Sequence, residues 1–122
     1  MVNHQTIGDR AAPLPPDDLA ALRRNLREQR AFRREQLRRM AEAPRTEHPP
    51  RRGSAARTEV RIKLAASARM VLHDVEAALR RIAEGSYGIC QLCRRPVERE
   101  RLMIVPQARY CARCQQVREA AP

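Results

Sequence analysis

Two stretches of the chain carry apolar residues at helical spacing, and they predict its two long elements. In the first, Leu19, Leu22, Leu26, Leu37 and Met40 fall within a sector of roughly 60° when each residue advances about 100°. Gln29 and Arg33 interrupt this stripe, and Phe32 lies off it. A stripe so narrow predicts a coiled-coil seam rather than the broad face of a globular helix. Asp17 and Asp18 stand just ahead, where carboxylates meet the free amides and positive end of a helix, so the helix is expected over residues 18–42. In the second stretch Val60, Leu64, Ser67, Val71, Val75, Ala78 and Ile82 share one face. That pattern predicts a helix over residues 54–84, stopped by Gly85.

Between them, residues 44–53 hold Pro44, Pro49 and Pro50, which end one helix and delay the next. Two stripes of similar length joined by a short turn predict an antiparallel helical hairpin about 35–45 Å long. The domain reading is a disordered tail over residues 1–16, where Pro13, Pro15 and Pro16 interrupt any helix, then the hairpin over 17–84. A cysteine-bearing unit follows over 85–122.

The four cysteines are Cys90, Cys93, Cys111 and Cys114, two Cys-x-x-Cys pairs at metal-site spacing. A two-residue spacer lets one tight turn bring two sulfurs to one ion, and two such turns complete a tetrahedron. Four thiolates leave no position for water, so one structural zinc per chain is expected. Gly88 suits a close turn before the first pair. A disulfide pair or free thiols are the rival readings. A redox role lacks a surrounding βαβ pattern, while a zinc site that also senses oxidation stays open. Leu92, Val97, Leu102, Ile104 and Val105 are the expected core around the metal, and a short helix is expected after Cys111 through Arg118.

Composition agrees with exposed helices plus a small metal-held unit. The 122 residues include two Tyr, one Phe and no Trp, so a large aromatic core is not available. Structural zinc supplies about 10–16 kcal/mol of apparent folding free energy, which such a unit needs. The formal net charge is +11, and a dication on four thiolates lowers it to about +9. That charge attracts polyanions. Lys63 is the one lysine, and this arginine, alanine and proline bias also fits a GC-rich genome. No apolar run is long enough for a membrane span, and the start carries no export signal, so a cytoplasmic protein is expected. His4, His48 and His73 are not needed as ligands, and Asp74 is expected to pair with an arginine. No P-loop, carboxylate pair or nucleophile triad is present, so the reading is not an enzyme.

The run Gly85-Ser-Tyr87-Gly88-Ile-Cys90-Gln-Leu-Cys93, then Arg94-Arg95-Pro96-Val97, then Arg101-Leu102-x-x-x-Pro106-x-Ala108-Arg-Tyr110-Cys111-x-x-Cys114, resembles the DksA/TraR zinc-finger family. The likeness is specific from about Ala78 to Cys114 and architectural upstream. It implies a mainly α protein, an antiparallel coiled-coil helical hairpin with a small C-terminal four-cysteine zinc-finger globule. It also implies a regulator whose hairpin enters the secondary channel of bacterial RNA polymerase without contacting DNA, in some members together with ppGpp. The best-known members carry Asp-x-x-Asp-x-Ala at the tip, and this turn has no aspartate. Arg45, Glu47, Arg51 and Arg52 stand there instead as the candidate partner-binding residues. Three arginines give the tip the opposite field, which the polymerase's catalytic magnesium ions repel. The alternative reading is a basic zinc protein that contacts nucleic acid directly, against which Glu28 and Glu35 interleave the arginines.

Overall fold

The computed structural model describes residues 14–42 and 52–120. Helix α1 spans Pro16–Glu42 and α2 spans Ser54–Glu84; two short helices follow, α3 at Arg99–Ile104 and α4 at Ala112–Ala120. Among the described residues there is no strand, and the one β-bridge joins Ile89 to Pro96. No described helix is long and apolar enough to cross a membrane.

Helix α1 begins at a proline because the first turn has no use for that residue's missing N–H. Pro15 accepts the first bond, from the Leu19 N–H at 3.0 Å, with Asp17 and Asp18 in the acidic first turn. Of the expected tail, residues 1–13 lie outside the described residues, while Leu14 packs against the core of the C-terminal unit. Helix α2 ends at Gly85, whose φ of 82° is the left-handed conformation that only glycine adopts without strain. The Ser86 N–H then reaches back to the Arg81 carbonyl at 2.9 Å and turns the chain toward the cysteines.

The two long helices pack together, and their apolar core cluster lies toward the end near the cysteines. Leu26, Val75 and Ala78 are fully buried there, with Val71, Leu79, Ile82 and Tyr87 against them. Two expectations are corrected. Ser67 is exposed and its neighbour Ala68 takes the buried position. Val60 and Leu64, expected in the seam, are 56% and 52% exposed.

The physical reason is the heptad register. Counted back in alternating steps of four and three from Ile82, the facing positions of α2 are Ala78, Val75, Val71 and Ala68, and beyond Ala68 the half-buried residue is Ala65 rather than Leu64. Counted forward from Leu19, those of α1 are Leu22, Leu26, Gln29, Arg33, Gln36 and Met40. Apolar residues therefore face each other near the base. Further out on α1, Gln29, Arg33 and Gln36 hold facing positions, and charged groups resist burial without partners.

Candidate metal centre

The stretch from Gly88 to Val97 folds into a tight hairpin that aims two sulfurs at one point. Gly88 has φ 87°, and its carbonyl accepts the Val97 N–H at 2.8 Å. Inside that bond the Cys90 N–H donates to the Arg95 carbonyl at 2.7 Å, and the Arg94 N–H donates to the Cys90 carbonyl at 3.0 Å. Closing so short a turn forces Arg94 to φ 64°. The second pair sits at the start of α4, where the Gln115 N–H donates to the Cys111 carbonyl at 2.9 Å. One backbone bond, Gln91 N–H to the Arg109 carbonyl at 2.9 Å, lays the two turns side by side.

The Sγ atoms of Cys90, Cys93, Cys111 and Cys114 all lie within 4.8 Å of one another. Cys93 and Cys111 are 3.9 Å apart, close to the roughly 3.8 Å edge of a tetrahedron with about 2.3 Å zinc–sulfur bonds. The thiol chemistry calls for a cation. Burial raises the Cys90 pKa, but backbone N–H groups of Cys93, Cys111 and Leu92 outweigh it and bring it down to about 6. Burial and then the three neighbouring sulfurs push Cys114 up to about 12. Four sulfurs this close cannot all shed their protons unless a positive ion replaces them. The four cysteines are positioned for one metal ion, and zinc fits the donor set.

The core behind the sulfurs differs from the expected one. Val97 and Leu102 are buried with Cys90 and Cys111, but Leu92 is 52% and Ile104 80% exposed. Leu92 is an exposed spacer of the first turn, and Ile104 is the exposed last residue of α3. Their places are taken by Leu22 of α1, with Leu14, Tyr87, Met103, Ala108 and Tyr110 packed around.

Polar side chains complete the junction. Arg99 forms a two-pronged bond with Asp18, at 2.6 and 3.0 Å, and holds that carboxyl below the usual range. Arg109 bonds Asp74 of α2 at 2.9 Å, the arginine pairing expected for that residue. The Tyr87 hydroxyl donates to the Pro106 carbonyl at 2.8 Å; burial pushes its pKa up to about 12, with Arg81 pulling the other way. Arg81 lies buried at this junction, its pKa lowered first by burial and then by Arg109. The sequence pattern foresaw an arginine for Asp74 but not which one, and did not signal the Arg99–Asp18 pair, because partners 35 or 81 positions apart have no period. Of the expected tip residues, Arg52 is exposed, and Arg45, Glu47 and Arg51 lie outside the described residues. His73 is exposed on α2, away from the sulfurs.

A long antiparallel hairpin seated on a four-cysteine unit defines the class, a helical-hairpin protein with a C4 zinc finger. Residues 85–120 match the model of the prokaryotic dksA/traR C4-type zinc finger. An uncharacterised protein from Aquifex aeolicus (strain VF5) is 42% identical over 43 residues; the match spans 35% of this chain and 30% of the relative's length. Among solved structures, transcription factor DksA2 from Pseudomonas aeruginosa superposes with a TM-score of 0.68 at 22% identity, covering 89% of this chain and 88% of that one. The DnaK suppressor protein from Agrobacterium tumefaciens C58 gives 0.62 at 26% identity, covering 87% and 98%. The RNA polymerase binding protein and transcriptional regulator Dks from Chlamydia trachomatis L2 gives 0.58 at 22% identity, covering 88% and 93%. Residues 85–120 thus carry a DksA/TraR-type C4 zinc finger, on a fold shared with these DksA structures.

Proposed function

We propose that the protein is a transcription regulator that binds bacterial RNA polymerase, inserting its hairpin through the secondary channel. The observation that carries this reading is the joint presence of a two-helix rod and a DksA/TraR-type finger at its base. That build is shared with the RNA polymerase binding protein of Chlamydia trachomatis. In this reading Cys90, Cys93, Cys111 and Cys114 hold one structural zinc that fixes the finger against the rod. The regulator works in the cytoplasm and carries out no catalysis of its own. Arg45, Glu47, Arg51 and Arg52 are the tip residues that approach the polymerase centre, and their positive field makes the outcome differ from that of an acidic tip. ppGpp is a candidate co-regulator.

Direct nucleic-acid binding is less well supported. Several arginines are already engaged: Arg34 with Glu76, Arg38 with Glu35 and Glu42, Arg39 with Glu35, Arg99 with Asp18 and Arg109 with Asp74. The deciding experiment replaces residues 44–53 by a short Gly-Ser turn. Affinity for core polymerase, read by pull-down, is expected to stay within about threefold, while the effect on transcription initiation is lost. Duplex DNA bound tightly without polymerase, and weakened steeply by salt, would overturn the reading in favour of a nucleic-acid binder.

A further inference from the structure

One side of α1 carries arginines at helical spacing. Arg23, Arg27, Arg30 and Arg34 follow one another in steps of four, three and four, so they form a single row along the helix. At 1.5 Å of rise per residue the row is about 16 Å long. Arg34 is engaged with Glu76 of α2 at 2.7 Å. Arg23, Arg27 and Arg30, with Arg24 beside them, form no hydrogen bond or ion pair among the described residues. Arg23, Arg24 and Arg27 line an open hollow of about 430 Å³, whose other walls are Ala20, Glu28 and Ala31. All six residues lie within α1, away from its ends.

We infer that this row docks a helix of a partner protein, acidic along one side and with a basic residue placed against Glu28. Carboxylates at i, i+4 and i+7 of that helix rise by the same steps of about 6 and 4.5 Å as Arg23, Arg27 and Arg30. Laid alongside α1, the two rows of opposite charge stay in step, which steers and registers the partner. Ala20 and Ala31 are the smallest side chains of the lining and let the partner's backbone come close. Glu28 decides between protein and nucleic acid. A phosphate backbone has only negative charge to set against that carboxylate, whereas a protein helix meets it with a lysine. The hollow also has no aromatic ring on which a base could stack. A second copy of this chain is disfavoured, because a symmetric pair through this face sets arginine row against arginine row. This docking is independent of the polymerase reading, and its test contains no polymerase.

The probe is a synthetic helical peptide of about twenty residues, with glutamates at i, i+4 and i+7 and one lysine set to meet Glu28. It is titrated into the zinc-loaded full chain at about 0.15 M salt. Arg24→Glu with Arg27→Glu is expected to weaken binding at least about tenfold, with helical content unchanged because both side chains are exposed. The same change of charge placed on the finger, Arg95→Glu with Arg118→Glu, is expected to alter affinity less than about twofold. A twin peptide with glutamate in place of the lysine is expected to bind at least about threefold more weakly, and Glu28→Lys restores it. General attraction to a basic protein gives the reverse order, since the twin is the more acidic peptide.

Tighter or equal binding of the all-glutamate twin overturns the inference, as does an equal loss from the two double variants. No binding of either peptide at up to about 1 mM overturns it as well. Twenty-base-pair duplex DNA held more tightly than the first peptide, and released by Arg24→Glu with Arg27→Glu, overturns it and assigns the row to nucleic acid. A dimer by light scattering that the same double variant dissociates, with no peptide binding, overturns it and assigns the row to a second copy.

Discussion

Arg94 occupies a backbone conformation, φ 64°, that costs an L-residue about 1 kcal/mol or more. The strain is set by the metal turn: the Cys90 and Arg94 amides and the Arg95 carbonyl close bonds of 2.7 and 3.0 Å around the first sulfur pair. Glycine holds that angle without penalty. Arg94→Gly is therefore expected to stabilise the zinc-loaded protein by about 1 kcal/mol, read as a higher melting temperature at fixed zinc concentration. Arg94→Val, β-branched at the same angle, is expected to lower it. Gly88 meets the same demand with the favoured residue; a Cβ there would reach only ordinary contact with Leu14 and Leu102, so its φ of 87° is the reason for glycine. The spacing of the cysteines announced the metal, but nothing in the residue Arg94 announced its strain. Such strain arises from hydrogen bonds that exist only once the turn has closed.

The hairpin shows how a helix can be legible while its partner face is not. Apolar periodicity was sufficient to find both long helices, because each needs only an amphipathic pattern and a stop. It misplaced the outer seam because Val60 and Ser67 fall within the broad apolar arc of an isolated helix, whereas packing is decided by the facing register. In that register Gln29, Arg33 and Gln36 of α1 hold outer facing positions, and on α2 Ala65 rather than Leu64 is the half-buried residue. Stability should therefore be concentrated at the base. Leu26→Asp puts a charge at a fully buried site against Val75 and Ala78 and is expected to remove about 3 kcal/mol or more. Leu64→Asp, at a half-exposed position, should remove less than about 1 kcal/mol, as should Arg23→Ala. Urea unfolding followed by helical circular dichroism distinguishes the three, and equal midpoints for Leu26→Asp and the parent would contradict a closed base.

Rod and finger are joined into one body by contacts from three directions. Leu22 inserts into the finger's core, Asp18 receives Arg99, and Asp74 receives Arg109. Loss of metal should therefore loosen the base of the hairpin as well as the finger. Cys111→Ser is expected to lower bound zinc below half an equivalent, because a hydroxyl replaces a thiolate poorly. It should remove the helical signal of α3 and α4, which hold 6 and 9 residues, and lower the melting temperature of α1 and α2, which hold 27 and 31. An unchanged hairpin transition would mean that the junction contributes little to the rod. By itself the sequence determined the two long helices and the metal chemistry, since a helical period of about 3.6 and a Cys-x-x-Cys spacing act within a few residues of chain. Only the tertiary structure decided which core residues serve the finger, where the seam closes and which arginines are engaged. Those outcomes depend on groups brought together from positions far apart, where burial and charge, not spacing, choose the partner.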